Sequence, residues 1–205
     1  GDRYVGVEES KEECDKSFGG DGIMYDDNYS GPYLKKFAIP FWKGMISDWE
    51  SKKVKIWEIF NRFEKNMVEG DQLTDYGSNR QYHFLLEAIL MDDLIKIKKE
   101  FGYADKQFRI NSAWFQQYNK KHSHYIHNHG FGGFSSVLYL KYNPEKHSPT
   151  FFVAPFMSNI DGNLIEYEPD DVEEGTLIVF PTSLPHYVPV NTSDEPRIIL
   201  SMNMN

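Results

Sequence analysis

The stretch KKHSHYIHNHGFGGFSSVLYL, residues 120–140, places four histidines within eight residues. In an extended strand successive side chains point to opposite faces, so His127 and His129, two residues apart, can both reach one point in space. Imidazole is a common ligand of divalent metal ions. The spacing therefore predicts that these two histidines form half of a metal site.

A third histidine follows in EEGTLIVFPTSLPHYVPVN, residues 173–191, where an apolar strand run and a proline-bounded turn lead to His186. Three imidazoles from two strands would hold a divalent metal ion on one side. Eleven residues further, Arg197 begins the strand run of PRIILSMNMN, residues 196–205. Its planar, permanently charged guanidinium suits a carboxylate, so the sequence predicts an anion site near the metal.

Simpler interpretations compete with this prediction. The three histidines could be ordinary core residues, although each neutral imidazole would then need a separate partner. Arg197 could form a surface ion pair with Glu195. Its position on a strand after the third histidine favours the carboxylate site. Of the other histidines, His122 and His124 could form a loop over the mouth of the site, contact the substrate or lie in solvent, and the loop is favoured. We expect His147 in an exposed turn.

The bulk composition limits the class of protein. With 205 residues, 40% hydrophobic and 16% aromatic, the chain is long enough for one domain with a substantial core. No apolar run approaches the roughly 20 residues that cross a bilayer, and no signal-peptide pattern is present. The single cysteine, Cys14, can form no internal disulfide and no thiolate cluster. We expect a soluble cytoplasmic protein without a membrane partner.

Charge is distributed unevenly along the chain. The formal net charge is −9. Residues 1–33 hold nine acidic and three basic side chains, so much of the negative charge lies in this segment. This glycine-rich segment has little periodicity, so we expect an irregular acidic arm before a single domain at 34–205. An acidic chain without a basic stripe argues against a nucleic-acid partner, because such binding depends on neutralised phosphates.

Two helices are predicted before the β-rich region. Ser47 and Glu50 have the spacing of a capping box, and apolar residues then recur at helical spacing, which predicts a helix over 48–67. A second helix is predicted over 79–101, with Ser78 or Asn79 as its cap. Its expected buried face consists of Phe84, Leu85, Ala88, Met91, Leu94 and Ile95.

From residue 107 to the end, at 205, the pattern changes to about eight short β-rich runs separated by turn residues. With no helical pattern between them, these runs predict a sandwich or barrel of antiparallel strands. The two preceding helices would then cover one outer face of a sheet. The predicted fold class is therefore mainly β with flanking helices.

The region from Trp114 to Asn203 resembles the Fe(II)- and 2-oxoglutarate-dependent oxygenase superfamily. It is most similar to uncharacterised bacterial and phage members whose first motif is H-x-H rather than H-x-D. The motifs, in chain order, are WFQQY (114–118), HNH (127–129), SSVLYL (135–140), FFVAP (151–155), GTLIVFP (175–181) followed by His186, and RIILSMN (197–203). The resemblance implies a double-stranded β-helix core, that is, a cupin-like jelly roll.

The resemblance also implies roles for individual residues. His127 would be the first iron ligand, His186 the distal ligand and Arg197 the partner of the C5 carboxylate of 2-oxoglutarate. His129 stands where most of the superfamily has Asp or Glu, so an ion bound here would keep its full charge. The further candidates for contact with 2-oxoglutarate are Ser201, Asn203, Gln116, Tyr118 and Tyr139.

The activity that this resemblance implies is hydroxylation. The enzyme would consume O₂ and 2-oxoglutarate, hydroxylate an unidentified small-molecule or peptide substrate, and release succinate and CO₂. The segment at 173–191 also looks like the second cupin motif, which leaves open a three-histidine metalloenzyme that does not use 2-oxoglutarate. A non-catalytic, metal-stabilised binding module is the third possibility. Arg197 discriminates between them, because only the first requires it to hold a co-substrate.

Overall fold

The computed structural model describes residues 39–78, 81–103 and 108–205. The predicted acidic arm, residues 1–33, lies outside the described residues, as does the predicted start of the domain at residue 34. Residues 40–205 belong to one compact unit. Within the described ranges, no helix is both long enough and apolar enough to span a bilayer.

The strands form two antiparallel sheets. Their bounds are β1 Trp42–Met45, β2 Val68–Glu69, β3 Leu73–Thr74, β4 Ile110–Tyr118, β5 His124–His127, β6 Phe134–Lys141, β7 Phe151–Met157, β8 Leu164–Tyr167, β9 Thr176–Pro181, β10 His186–Val188 and β11 Arg197–Met204. The larger sheet has the order β1-β9-β6-β11-β4-β3-β2, and the smaller sheet has the order β5-β10-β7-β8. From β4 onwards the chain passes repeatedly between the sheets, which confirms the predicted double-stranded β-helix.

Strand alternation divides β11 between two environments. Ile198, Leu200, Met202 and Met204 lie in the main hydrophobic core together with residues of the helices. The alternate residues, beginning with Arg197, point to the opposite face of the sheet, because the side-chain period of a strand is two. The larger sheet therefore packs on the helices with one face and presents polar side chains to the interior of the jelly roll with the other.

Two helices cover the outer face of the larger sheet. Helix α1 spans Trp49–Phe63 and continues into a 3-10 turn, Glu64–Asn66, while α2 spans His83–Glu100. Both lie within the predicted ranges 48–67 and 79–101. Their buried apolar residues join those of the sheet in one core, which includes Ile56, Phe60, Leu86, Leu90, Leu94 and Ile97.

The start of α1 differs from the prediction. Asp48, not Ser47, is the N-cap; it adopts a left-handed conformation with φ 49°, and no side chain caps the helix. The backbone N–H of Ser47 instead donates to Asp93 Oδ1 at 2.8 Å, and its Oγ accepts from Lys52 Nζ at 2.9 Å. Lys52 and Asp93 are themselves paired at 2.6 Å and buried. Ser47 thus completes an ion pair that joins α1 to α2.

The predicted buried face of α2 is wrong apart from Leu94. Phe84, Leu85, Met91 and Ile95 are exposed, whereas Leu86, Glu87, Leu90, Asp93, Leu94 and Ile97 are buried. Apolar residues occur on all sides of α2, so the periodicity of these residues alone does not show which side of the helix is buried. Two buried carboxylates select it: Glu87 binds Arg109 and the N–H of Ile110, and Asp93 binds Lys52.

We expect Asp93→Ala to lower the free energy of unfolding by about 3–5 kcal/mol, because it leaves the Lys52 ammonium buried without a counter-ion. Urea unfolding followed by circular dichroism measures this change. Asp92→Ala is the matched control, since Asp92 is exposed on the same helix. Equal stability of the two variants would show that the buried ion pair does not hold the helices together.

Candidate functional site

Three histidines converge in the interior of the jelly roll. His127 ends β5, His186 begins β10, and the two residues are paired in the ladder between these strands. His129 follows β5, where its backbone N–H donates to Thr182 O at 2.8 Å. One nitrogen from each of the three rings lies within 4.8 Å of the others. The predicted spacing thus brings the three imidazoles to one point.

Hydrogen bonds determine which ring nitrogen carries the proton. His127 Nδ1 lies 2.8 Å from Tyr125 O, and His186 Nδ1 lies 2.9 Å from Leu184 O. A carbonyl oxygen only accepts, so each Nδ1 must be protonated and each Nε2 must carry a lone pair. This is the tautomer that a metal ligand requires.

His129 reaches the same state through a side chain. Its Nδ1 lies 2.9 Å from both Asn203 Oδ1 and Ser135 Oγ, and the Ser135 hydroxyl donates to the same Asn203 oxygen at 2.8 Å. Asn203 Oδ1 therefore accepts from the Nδ1–H of His129. The Nε2 atoms of His129 and His127 then face one another at 3.3 Å with no proton between them. A cation between these lone pairs would satisfy both, so the cluster fits a metal ion.

Burial keeps the three rings neutral. Desolvation, with some repulsion from His127 and His129, lowers the pKa of His186 to about 3. Burial likewise lowers the pKa values of His127 and His129. At neutral pH the imidazoles are therefore ready to bind a metal without first losing a proton. Among the described residues, no carboxylate joins this cluster.

Arg197 lies at the other end of the interior and is 1% exposed. Its guanidinium carbon is 5.0 Å from the centroid of the Tyr118 ring and 5.2 Å from that of Tyr139. One terminal nitrogen donates to Thr150 Oγ1 at 2.8 Å, whereas Nε and the other terminal nitrogen are buried without a partner in the described structure. The surface ion pair with Glu195 does not form, so the buried cation has free donors for an anion.

Of the remaining predicted contacts, Tyr118 and Tyr139 flank Arg197, whereas Ser201 and Gln116 bond to one another. The Ser201 hydroxyl donates to Gln116 Oε1 at 2.9 Å. The Tyr139 hydroxyl oxygen accepts from the backbone N–H of Thr150 at 2.9 Å. Burial raises the pKa of Tyr118, so its phenol stays neutral. These side chains form a polar lining along one wall of the interior.

Asn203 lies beside His129 rather than beside Arg197. Six residues of extended strand separate positions 197 and 203, a distance of roughly 20 Å. The shared strand face was predicted correctly, since both side chains point inward, but the strand carries them to opposite ends of the site. The structure thus gives Asn203 a position at the histidine cluster.

Two other histidines differ from their predicted places. His124 belongs to β5, not to a loop over the mouth, and its ring stacks on His127 with centroids 3.9 Å apart. His147 is buried, not exposed: its Nδ1 accepts from the N–H of Asn143 at 3.0 Å and its Nε2 donates to Glu195 O at 3.1 Å. His147 is therefore a structural residue with both nitrogens satisfied.

Sequence reasoning missed Ser135 and Thr150. Ser135 shares a strand face with Tyr139, so alternation along β6 was a usable signal. Thr150 precedes β7 in a turn, and its sequence context carries no periodicity that points to Arg197. Its contact is visible only once the strands are in register.

Comparisons with known proteins agree with this geometry. A family model described as "Putative 2OG-Fe(II) oxygenase" matches residues 112–203, which is somewhat less than half of the chain. The match includes all three histidines of the cluster and Arg197. No curated protein matches the chain.

Solved structures with a similar fold are distant in sequence. The non-heme alpha ketoglutarate dependent carbocyclase SnoK from nogalamycin biosynthesis has a TM-score of 0.57 at 12% identity, with 80% of this chain and 78% of that chain covered. HygX from Streptomyces hygroscopicus, solved with nickel, 2-oxoglutarate and hygromycin B, has a TM-score of 0.55 at 11% identity, with 80% and 82% covered. The viral collagen prolyl hydroxylase vCPH from Paramecium Bursaria Chlorella virus-1 has a TM-score of 0.53 at 10% identity, with 80% and 94% covered. At these identities the likeness establishes the fold.

The contact between Asn203 and His129 predicts a loss of metal affinity in Asn203→Leu. Without its acceptor, the His129 ring is no longer held in the ligand tautomer, so we expect the affinity for Ni(II) to fall about 10- to 100-fold. Isothermal titration calorimetry measures the affinity, and Asn61→Leu, an exposed position on α1, is the matched control. Wild-type affinity in Asn203→Leu would contradict this role.

The family match and the fold thus rest on the same strands that carry the histidine cluster and the buried arginine. Lone pairs of three neutral imidazoles fit a divalent metal ion, and the unpartnered guanidinium fits an anion. These observations agree with a metal and a dicarboxylic co-substrate. The match at residues 112–203 is therefore a likeness of this part of the chain to the 2OG-Fe(II) oxygenase family.

Proposed function

We propose that this protein is an Fe(II)- and 2-oxoglutarate-dependent hydroxylase in which His127, His129 and His186 hold the iron and Arg197 holds the co-substrate. The observation that carries the proposal is the state of Arg197. It is buried, and two of its nitrogens have no partner in the described structure. A charge in that position requires an anion, and a planar carboxylate matches the guanidinium.

The two ends of the interior would bind different groups. When bound, Fe(II) and 2-oxoglutarate supply the oxidative chemistry, in which O₂ and the co-substrate yield succinate and CO₂ and one oxygen atom enters the substrate. The histidine cluster would bind the metal at one end, while Arg197, Tyr118 and Tyr139 would bind the distal carboxylate at the other. Gln116 and Ser201 lie on the wall between the two ends, within reach of the co-substrate.

Aromatic side chains shield the cluster from water. The Phe180 ring lies 4.8 Å from that of His186, and the Trp114 ring lies 5.2 Å from that of His129. Phe152, from the smaller sheet, packs on Phe180 with centroids 4.8 Å apart. This apolar wall covers the cluster on the side of His186 and His129, while His127 stays partly exposed.

The substrate is a small molecule or a peptide segment of undetermined identity, and O₂ is the other reactant. The solved structures with this fold include one with hygromycin B bound and a viral collagen prolyl hydroxylase. Fold likeness therefore does not select a substrate for this chain. The single cysteine, Cys14, supports a reducing compartment, and we propose the cytoplasm as the location.

The two alternatives are a three-histidine metalloenzyme without 2-oxoglutarate and a metal-stabilised binding module. Neither supplies a ligand for the buried guanidinium of Arg197. A buried charge without its partner destabilises a protein, so an arginine with two unbonded nitrogens lowers the stability of the fold unless an anion binds it. Its two free nitrogens therefore favour the co-substrate reaction over both alternatives.

Arg197→Met tests the proposal. We expect anaerobic titration of the Fe(II)-loaded protein with 2-oxoglutarate, followed by its visible charge-transfer band, to show affinity at least about 30-fold weaker than wild type, because a buried charge contact is lost. Affinity for the metal should not change. Arg62→Met, at an exposed position on α1, is the matched control. Tight 2-oxoglutarate binding by Arg197→Met, or none by the wild type, would refute the proposal.

A further inference from the structure

His124 is a fourth histidine at the site that the proposed function does not use. Its ring stacks on His127 with centroids 3.9 Å apart and planes inclined by 28°. A bulge in the pairing of β5 with β10 lets His124 and His127, three residues apart, both point inward, while Tyr125 and Ile126 between them are exposed. The bulge thus adds one more imidazole to the interior than strict alternation would allow.

A chain of hydrogen bonds determines the tautomer of His124. Ser201 donates its hydroxyl proton to Gln116 Oε1 at 2.9 Å, which directs the Gln116 amide nitrogen away from Ser201. That nitrogen lies 3.2 Å from His124 Nδ1 and, being only a donor, requires Nδ1 to accept. A neutral imidazole that accepts at Nδ1 carries its proton on Nε2.

This state is opposite to that of the three clustered histidines. His127, His129 and His186 present lone pairs at Nε2, whereas His124 presents an N–H donor there. In the described structure, no hydrogen-bond partner meets His124 Nε2. In this tautomer His124 offers an N–H donor at Nε2 and is not a fourth metal ligand.

His124 also lies between the histidine cluster and the anion site. One face of its ring lies on His127, a member of the cluster, and its Nδ1 is 3.5 Å from the Tyr118 hydroxyl. The ring of Tyr118 in turn lies 5.0 Å from the Arg197 guanidinium. His124 thus bridges the histidine cluster and the anion site. A dicarboxylate that spans these two ends passes along it.

We propose that His124 is a co-substrate-binding residue, whose Nε2–H donates a hydrogen bond to an oxygen of 2-oxoglutarate. The inference rests on the proposed function and adds a donor to it. Arg197 supplies charge at the far end of the dicarboxylate, and His124 supplies a neutral donor nearer the metal. The Ser201 and Gln116 side chains act through His124 as positioning residues.

Anaerobic 2-oxoglutarate titration of the Fe(II)-loaded variants His124→Phe and His124→Gln tests this role. Phenylalanine keeps a ring to stack on His127 but removes the donor, so we expect affinity about tenfold weaker or worse, the loss typical of a hydrogen bond to a charged group. Glutamine keeps an N–H donor and should retain affinity within about threefold of wild type. Ni(II) affinity should be unchanged in both variants.

His122→Phe is the matched control, because His122 lies two residues away and its Nδ1 accepts from the backbone N–H of Asn119 at 3.3 Å. Wild-type affinity in His124→Phe, or equal losses in His124→Phe and His124→Gln, would overturn the inference. If the wild type binds 2-oxoglutarate and Arg197→Met does not, such a result removes only the role of His124. If the wild type itself does not bind, the proposed function fails as well.

Discussion

The alternation of side chains along β11 is the constraint on which both the core and the candidate site depend. Ile198, Leu200 and Met202 pack against the helix layer, while Arg197 and Ser201 enter the interior of the jelly roll. A shift of one residue in the pairing with β4 and β6 would bury the arginine among apolar side chains and expose the core residues to the interior. The hydrophobic pattern that stabilises the sheet thus also positions the anion site.

Electrostatics distinguishes the two ends of that interior. The histidine cluster contains neutral imidazoles and, among the described residues, no carboxylate, so a bound divalent ion would keep its charge. Arg197 adds a second positive centre, and the buried phenol of Tyr118 does not offset it because burial raises its pKa. A dianion that reaches both centres would neutralise most of this charge, which is why a dicarboxylate suits the interior as a whole.

Local periodicity predicted the elements but not every contact. The spacing of His127 and His129 predicted that both reach one point, and they do, although β5 ends at His127 and His129 lies beyond the strand. The buried face of α2 was predicted wrongly, since its choice depends on where Lys52 and Arg109 meet the helix. Thr150 carried no signal, because a loop residue reaches its partner only after the sheets assemble. Long-range partners, not propensities, decided these cases.

The tautomers of the histidines explain how one short stretch, residues 124–129, can face both a cation and an anion. Backbone carbonyls and Asn203 hold protons on Nδ1 of the clustered rings, and Gln116 holds the proton of His124 on Nε2. Identical side chains therefore become acceptors toward a cation or a donor toward an anion according to one neighbouring atom. The partners of His129 and His124 lie on strands of the other sheet, so these two tautomers are set only when the jelly roll closes. His127 and His186, in contrast, bond carbonyls two residues earlier in the chain. Pairing of the two sheets thus completes a site that the local contacts begin.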